Sequence, residues 1–241
     1  THTHTHTHTH THTHTHTIAN LYKRKPQAIP FLVENPKISA ILVSFNPGQM
    51  GGLGIARLLF GEDNPCGRLT LSWPRHVGQL PVIYNHLPGW HTNKYIDMVA
   101  TSQWAFGFGL SYTTFEYTNL HLVTSTTSAT QKDGRVEVKE GEAIKVVVDL
   151  QNTGTRQGVE VVQCYVRDVV ASVTTPVLQL KAFARVSLEA GEKRAVEMEI
   201  PYGSLSLVTP ELKRVVERGE FVVRVGPASD NLPLSSSLFV V

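Results

Sequence analysis

Residues 144–167, IKVVVDLQNTGTRQGVEVVQCYVR, contain two apolar runs that are separated by a polar segment. The runs 144–150 and 159–167 are rich in valine, and charged or polar side chains alternate with the apolar ones. Such alternation is typical of strands with one buried face, and the Asn-Thr-Gly sequence between the runs is typical of a turn. The stretch therefore predicts two neighbouring strands of an antiparallel sheet.

Five further runs of the same kind lie on either side of this stretch. They are 115–122, 178–188, 194–200, 220–225 and 237–241. Seven short strands separated by turns, with no long helical pattern between them, predict an all-β immunoglobulin-like sandwich. We assign this domain to residues 113–241.

The upstream sequence has a different pattern. An almost continuous apolar run at 38–45 is followed by a Pro-Gly turn and by 51–60, where apolar residues recur at helical spacing. After a turn-forming segment, 68–73 predicts another short strand. A continuous apolar strand is typical of a mostly parallel sheet that helices cover on both faces. Residues 18–112 are therefore predicted to be a βαβ remnant of an α/β domain that ends in a loop region rich in aromatic residues.

The composition limits the kinds of partner. The chain has 241 residues, of which 41% are hydrophobic and 17% charged, with a formal net charge of +2. Lysine and arginine are scattered, so we predict no nucleic-acid partner. The apolar runs are far shorter than the ~20 residues of a membrane helix, so we predict no membrane partner either. Cys66 and Cys164 are far apart and are predicted to be free thiols. The cellular compartment stays open.

The first 17 residues are a strict Thr-His repeat, which supplies eight of the 12 histidines. Imidazole binds zinc, nickel and copper, so metal capture by the repeat is chemically possible. A two-residue polar repeat has nothing apolar to bury, however, and must stay solvated. We therefore predict that residues 1–17 are tag-like and disordered, and we leave them out of the fold prediction.

Five short motifs follow one another along the chain. They are NPGQMGG at 46–52, LFGEDNPCGRL at 59–69, WPR at 73–75, GQLPV at 78–82 and FGFGLSYTTF at 106–115. In this order and spacing they resemble glycoside hydrolase family 3, and the resemblance covers essentially everything after the Thr-His repeat. It implies that the α/β remnant is the end of the family's α/β sandwich domain. It also implies that the all-β part is the family's fibronectin type III-like domain.

The resemblance implies a retaining β-glycosidase, with a β-glucosidase first and a β-xylosidase next, that acts on a β-linked oligosaccharide or glycoside. Retaining enzymes use two carboxyl groups about 5 Å apart, one as the nucleophile and one as the acid/base. In the family these groups lie on an amino-terminal barrel and in the upstream part of the sandwich domain. We therefore expect no catalytic residue in this chain, and a missing barrel domain in cis or on another chain. A non-catalytic carbohydrate-binding or structural fragment is the alternative.

Four carboxylates precede the all-β domain, but they do not form a convincing catalytic pair. They are Glu34, Glu62, Asp63 and Asp97. The adjacent Glu62 and Asp63 lie in a turn, where polar side chains are expected to face solvent. Outside the Thr-His repeat there is no grouped Cys/His pattern, so we predict no metal site and no cofactor.

The loop 84–97 combines an indole, phenols, imidazoles and an amide. Apolar faces of sugars stack on aromatic rings, and their hydroxyl groups hydrogen-bond to polar side chains. Trp90, His91 and Tyr95 are therefore the predicted substrate-binding residues, at a leaving-group subsite or its rim. In the alternative interpretation, Trp90 and Tyr95 only fill the junction between the two domains.

Overall fold

The computed structural model describes residues 17–22, 25–90, 95–124 and 136–241. Residues 1–16 of the Thr-His repeat and the predicted site residue His91 lie outside the described residues. The helices are α1 (Pro30–Val33) and α2 (Gly51–Leu59), with 3₁₀ turns at Val77–Gln79 and Tyr202–Leu205. The strands are β1 (Thr17–Leu21), β2 (Ile38–Val43), β3 (Phe115–Val123), β4 (Val136–Val138), β5 (Ile144–Asn152), β6 (Gly158–Asp168), β7 (Gln179–Leu188), β8 (Lys193–Ile200), β9 (Leu207–Val208), β10 (Arg214–Val215), β11 (Gly219–Gly226) and β12 (Leu234–Val240). Of these described helices, none has the length and apolar character to cross a membrane.

Two sheets form the sandwich. One has the strand order β4-β12-β11-β6-β7 and the other has the order β3-β5-β8. Neighbouring strands are antiparallel, except that β12 and β4 run parallel. All seven strands predicted from alternation are present, so the immunoglobulin-like class is confirmed. The prediction missed β4, β9 and β10, because two or three residues are too few to show a period.

The core lies between the two sheets. Val146, Val148 and Leu150 of β5 are fully buried, and so are Val162 and Cys164 of β6. Each such aliphatic side chain contributes roughly 1.5 to 3 kcal/mol through burial. Burial also raises the pKa of the Cys164 thiol to about 12, so this thiol stays protonated at neutral pH. Both cysteines are free, as predicted.

The α/β part contains a parallel pair of strands. Strand β1 pairs with β2 in parallel, with Ile18 opposite Ala40 and Leu21 opposite Val43. Helix α2 is the helix that the apolar spacing predicts. Strand β1 was missed because it begins at Thr17, which the sequence prediction assigns to the Thr-His repeat.

The strand predicted at 68–73 is wrong. Only Trp73 takes part in β-pairing, through an isolated antiparallel bridge with Trp104. The Trp73 ring is fully buried, and its indole N–H donates a hydrogen bond to the Gln27 carbonyl at 2.7 Å. The Arg68 side chain is directed into the sandwich, as described below. Tertiary contacts of these side chains therefore override the local strand pattern.

Candidate functional site

A cluster of rings attaches the loop 84–97 to the outer face of the sandwich. Tyr84 stacks on Phe106 with 4.4 Å between ring centroids, and it meets Tyr165 of β6 edge-on at 5.8 Å. The Leu180 backbone N–H donates to the Tyr84 hydroxyl oxygen at 3.2 Å. Tyr165 is fully buried, and this burial raises its pKa. We call Tyr84, Phe106 and Tyr165 the aromatic junction, because they join the α/β part to the sandwich.

A buried amide continues this attachment. Gln163 of β6 accepts a hydrogen bond from the Tyr165 hydroxyl at 2.6 Å and donates to the Gly107 carbonyl at 3.2 Å. It also donates to the Pro227 carbonyl. Gln163 is 3% exposed, so its amide has little access to water. The segment that carries Phe106 is therefore held by hydrogen bonds as well as by ring packing.

A second buried amide, that of Gln79, connects the segments that precede and follow the loop 84–97. Gln79 accepts hydrogen bonds from the backbone N–H groups of Arg75 and His76, at 2.7 and 3.2 Å. Its NH2 group donates to the carbonyls of Val99 and Thr101, at 3.1 and 3.2 Å. Sequence reasoning assigned Gln79 no role, although it lies in the GQLPV motif. A glutamine in a loop gives no periodic signal that it is buried.

Two of the predicted substrate-binding residues, Trp90 and Tyr95, are described by the structure and lie between these two anchored regions along the chain. Trp90 is 37% exposed, and its backbone N–H donates to the Leu87 carbonyl at 3.3 Å. Tyr95 is half-buried, and its backbone N–H donates to the Met98 carbonyl at 2.7 Å. Tyr84, Phe106 and Tyr165 fill part of the domain junction. The substrate-binding role of Trp90, His91 and Tyr95 stays a prediction.

A buried ion pair is a feature of this region that the sequence did not reveal. Arg68 Nη2 lies 2.9 and 3.0 Å from the two carboxylate oxygens of Glu160 on β6. The side chains are 7% and 4% exposed. The Tyr117 hydroxyl is also buried, and its pKa is raised by burial and by the negative charge of Glu160. The pair connects the α/β part to the end of the sandwich core. The alternating pattern of β6 alone predicts an ordinary strand residue at Glu160.

The four upstream carboxylates are distributed over the surface. Asp63 pairs with Arg57 of α2 at 2.8 Å, and Glu62 lies 3.7 Å from the same guanidinium. Glu34 and Asp97 are exposed. Among the described residues, no group of three or more His, Cys, Asp or Glu side chains could hold a metal ion. The loop region thus offers aromatic surface and hydrogen-bonding groups.

Comparison with protein-family models gives the class of this architecture. The model for the glycosyl hydrolase family 3 C-terminal domain matches residues 5–112, and the model for a fibronectin type III-like domain matches residues 160–229. The α/β part thus has the sequence of this family's carboxyl-terminal domain, and a fibronectin type III-like domain follows it. The chain belongs to glycoside hydrolase family 3.

Similar proteins carry the same arrangement within longer chains. A periplasmic beta-glucosidase of Salmonella typhimurium is 38% identical over 80% of this chain and 25% of its own length. A beta-xylosidase of Formosa agariphila is 38% identical over 88% of this chain and 28% of its length. The solved structure of a beta-glucosidase involved in saponin metabolism from intestinal bacteria has a TM-score of 0.83 and 38% identity, over 93% of this chain and 30% of its own. The chain therefore spans about a quarter to a third of the length of these relatives.

Proposed function

We propose that this chain is the carboxyl-terminal part of a retaining β-glycosidase, a β-glucosidase first and a β-xylosidase next. In this proposal, residues 18–112 and 113–241 are its two domains, and the catalytic carboxylates lie outside the chain. The observation that carries the proposal is a loop with exposed aromatic surface beside a junction of packed rings, in a chain whose relatives are named as beta-glucosidase and beta-xylosidase. The reaction needs two carboxyl groups ~5 Å apart. Of the upstream carboxylates, Glu62 and Asp63 share the Arg57 guanidinium, and Glu34 and Asp97 are exposed.

The open surface of the α/β part supports a further polypeptide in this enzyme. Parallel sheets are normally covered on both faces by other elements. The described parallel sheet of this part contains two strands, β1 and β2. Phe31, Met50 and Phe60 are 69%, 66% and 83% exposed on the adjoining helices and turn. Large exposed apolar side chains are the kind that an interaction surface would bury. The proposed polypeptide that covers this surface is the amino-terminal barrel together with the upstream part of the α/β sandwich domain, in cis or on another chain.

The chain alone is expected to hydrolyse neither aryl β-glucosides nor aryl β-xylosides at an enzymatic rate, because it lacks the carboxylate pair. A spectrophotometric assay of released nitrophenol checks this, with the full-length enzyme as the positive control. Robust turnover by the chain alone that is lost in Glu62→Gln or Asp63→Asn would contradict the proposal. Such a result would place an unrecognised site beside α2.

In the full-length enzyme, Trp90→Ala is expected to lower kcat/KM about five-fold, because it removes a stacking surface worth ~1 kcal/mol. The Tm should change little, since the ring is 37% exposed. Phe183→Ala is a matched control, because it also removes a large exposed ring but lies on β7 and not in the loop 84–97. Phe106→Ala is the opposite control, because truncating a junction ring should cost about 3 to 5 kcal/mol of stability.

The two controls separate the two roles of the Trp90 ring. If Trp90→Ala lowers kcat/KM and Phe183→Ala does not, and if the two variants have the same Tm, the result supports contact between the Trp90 ring and the substrate. A large loss of Tm that resembles Phe106→Ala, with unchanged kinetics, would make Trp90 a structural residue. That result would favour the alternative interpretation of this loop.

A further inference from the structure

A cleft lies beside β7, at the segment 173–176 that precedes this strand. Its volume is about 250 Å³, and its apolar floor is formed by Val166, Leu205 and Phe221, which also belong to the core. Gln179 and Lys181 of β7 line one wall. Leu180, between them, packs instead with the aromatic junction on the opposite face of the sheet. The cleft and the candidate substrate-binding loop are therefore on different faces of β7.

A β-bulge directs Lys181 into the cleft. On β6, Cys164 is paired with Ala182 and Tyr165 with Leu180, so Lys181 has no partner across the sheet. Bulges commonly redirect a side chain at the edge of a sheet. Lys181 is half-buried, and its ammonium group forms no ion pair with any residue that the structure describes. Burial, followed by the nearby charge of Arg214, lowers the pKa of Lys181.

A second cation extends the positive end of the cleft. The Arg214 guanidinium donates to the Ser206 hydroxyl at 3.3 Å, and Ser206 lines the cleft. Two neighbouring cations without a described carboxylate partner are suited to an anionic ligand group, because charge-assisted hydrogen bonds are the strong ones. This end of the cleft therefore favours a carboxylate or another small anion.

The remaining polar groups are suited to hydroxyl groups of the same ligand. The Asp168 carboxylate lines the cleft and forms no described ion pair, and Thr174 and Thr175 add two hydroxyl groups. Burial, followed by the charge of Glu217, raises the pKa of Asp168. The Asp168 carboxylate can accept hydrogen bonds from ring hydroxyl groups, which a simple anion lacks. The cleft is smaller than the ~300 to 1,000 Å³ of sites for drug-sized ligands, which limits the ligand to about one sugar ring.

We propose that this cleft binds one sugar residue that carries a carboxylate, that is, a uronic acid unit. Its carboxylate would accept hydrogen bonds from Lys181, and its ring hydroxyls would donate to Asp168. The fibronectin type III-like domain thereby recognises acidic glycans at a site separate from the loop 84–97. This binding requires none of the catalytic apparatus and is independent of the proposed glycosidase activity.

The test is an NMR titration of the full 241-residue chain with three probes, namely glucuronic acid, glucose and acetate. Glucuronic acid is expected to shift the amide signals of the cleft residues with a Kd on the order of 1 to 10 mM. Glucose lacks the carboxylate and acetate lacks the ring, so each should bind at least about ten-fold more weakly. Equal affinities for glucuronic acid and glucose, equal affinities for glucuronic acid and acetate, or no binding of glucuronic acid would each overturn the proposal.

Two variants examine the roles of the charged groups. Lys181→Gln is expected to weaken glucuronic acid binding about ten-fold and to leave glucose binding unchanged, and Asp168→Asn should weaken binding of both sugars. Lys193→Gln is the matched control, because Lys193 is an exposed lysine paired with Asp149 and should have no effect. Signals outside the cleft report whether each variant remains folded. Unchanged affinity in folded Lys181→Gln and Asp168→Asn variants would exclude the assigned site.

Discussion

An Arg68→Met variant is expected to lose about 3 to 5 kcal/mol of unfolding free energy, because it leaves the Glu160 carboxylate buried without its cation. The Glu160 side chain is 4% exposed, so water cannot readily solvate the charge. The substitution removes both hydrogen bonds that Arg68 Nη2 donates to this carboxylate, at 2.9 and 3.0 Å. In a chain of this length such a loss lowers the Tm by about 10 °C. Urea unfolding followed by circular dichroism measures the free energy, and a thermal melt measures the Tm.

The control for Arg68→Met is an exposed ion pair in the same sandwich. Lys145 lies 3.0 Å from Glu197, with side chains 52% and 60% exposed, and Lys145→Met should cost less than ~1 kcal/mol. The double variant Arg68→Met, Glu160→Met should recover much of the loss, because replacing both partners of a buried pair by apolar groups is often nearly neutral. If Arg68→Met costs no more than Lys145→Met, the buried pair does not hold the α/β part to the sandwich.

A Gly107→Ala variant is expected to lose about 4 kcal/mol of unfolding free energy, because two separate costs add. The backbone of Gly107 has φ +85°, which an L-residue adopts only with strain. A Cβ at this position would lie 2.0 Å from Gln163 Oε1 and 2.8 Å from its Cδ. Gln163 is fixed by Tyr165 and Pro227, so it cannot move aside without losing buried hydrogen bonds.

Gly191→Ala separates the two costs of the Gly107 substitution. Gly191 has φ +77°, close to that of Gly107, but a Cβ there would meet nothing within 4 Å. The control should therefore show only the backbone cost of about 1 to 2 kcal/mol. Equal losses in the two variants would mean that the contact with Gln163 adds nothing. Unfolding midpoints in urea, with the slope compared between variants, check that the difference lies in stability.

The strands of the sandwich could be predicted because their residues obey one local rule. In β5, for example, alternation places Val146, Val148 and Leu150 in the core and leaves Lys145 exposed. Helix α2 followed from the same kind of argument, with its apolar residues at helical spacing. These elements each have one buried face, and a buried face leaves a period in the sequence.

The buried polar contacts could not be predicted because each depends on a partner that is far away in the chain. Arg68 and Glu160 are 92 positions apart, and Gln163 and Gly107 are 56 positions apart. The segment 68–73 alternates like a strand, yet its direction is decided by the buried Trp73 ring and by the ion pair. Distant side chains thus determine the structure where the local pattern predicts something else.

The candidate site was predicted from its chemistry and not from its geometry. Aromatic and amide residues indicated the loop 84–97, but nothing in the sequence distinguished the rings that fill the junction from those that face outward. The structure assigns Tyr84 and Phe106 to the junction and leaves Trp90 partly exposed. Residue type alone cannot make this distinction, because both positions carry large rings in loops.

The interlocked junction has a consequence for chimeric enzymes. A cut before Thr113 would follow the sequence boundary, but it would strip Tyr165 of its covering rings and Glu160 of its arginine. The transferred domain would then expose aromatic surface that is buried in this protein, and its Glu160 charge would have no partner. The Arg156 side chain also donates to the Gly61 carbonyl at 2.6 Å, and the buried Trp73 indole donates to the Gln27 carbonyl. We therefore expect that a transplantable module begins upstream of Gln27 and includes its own sandwich.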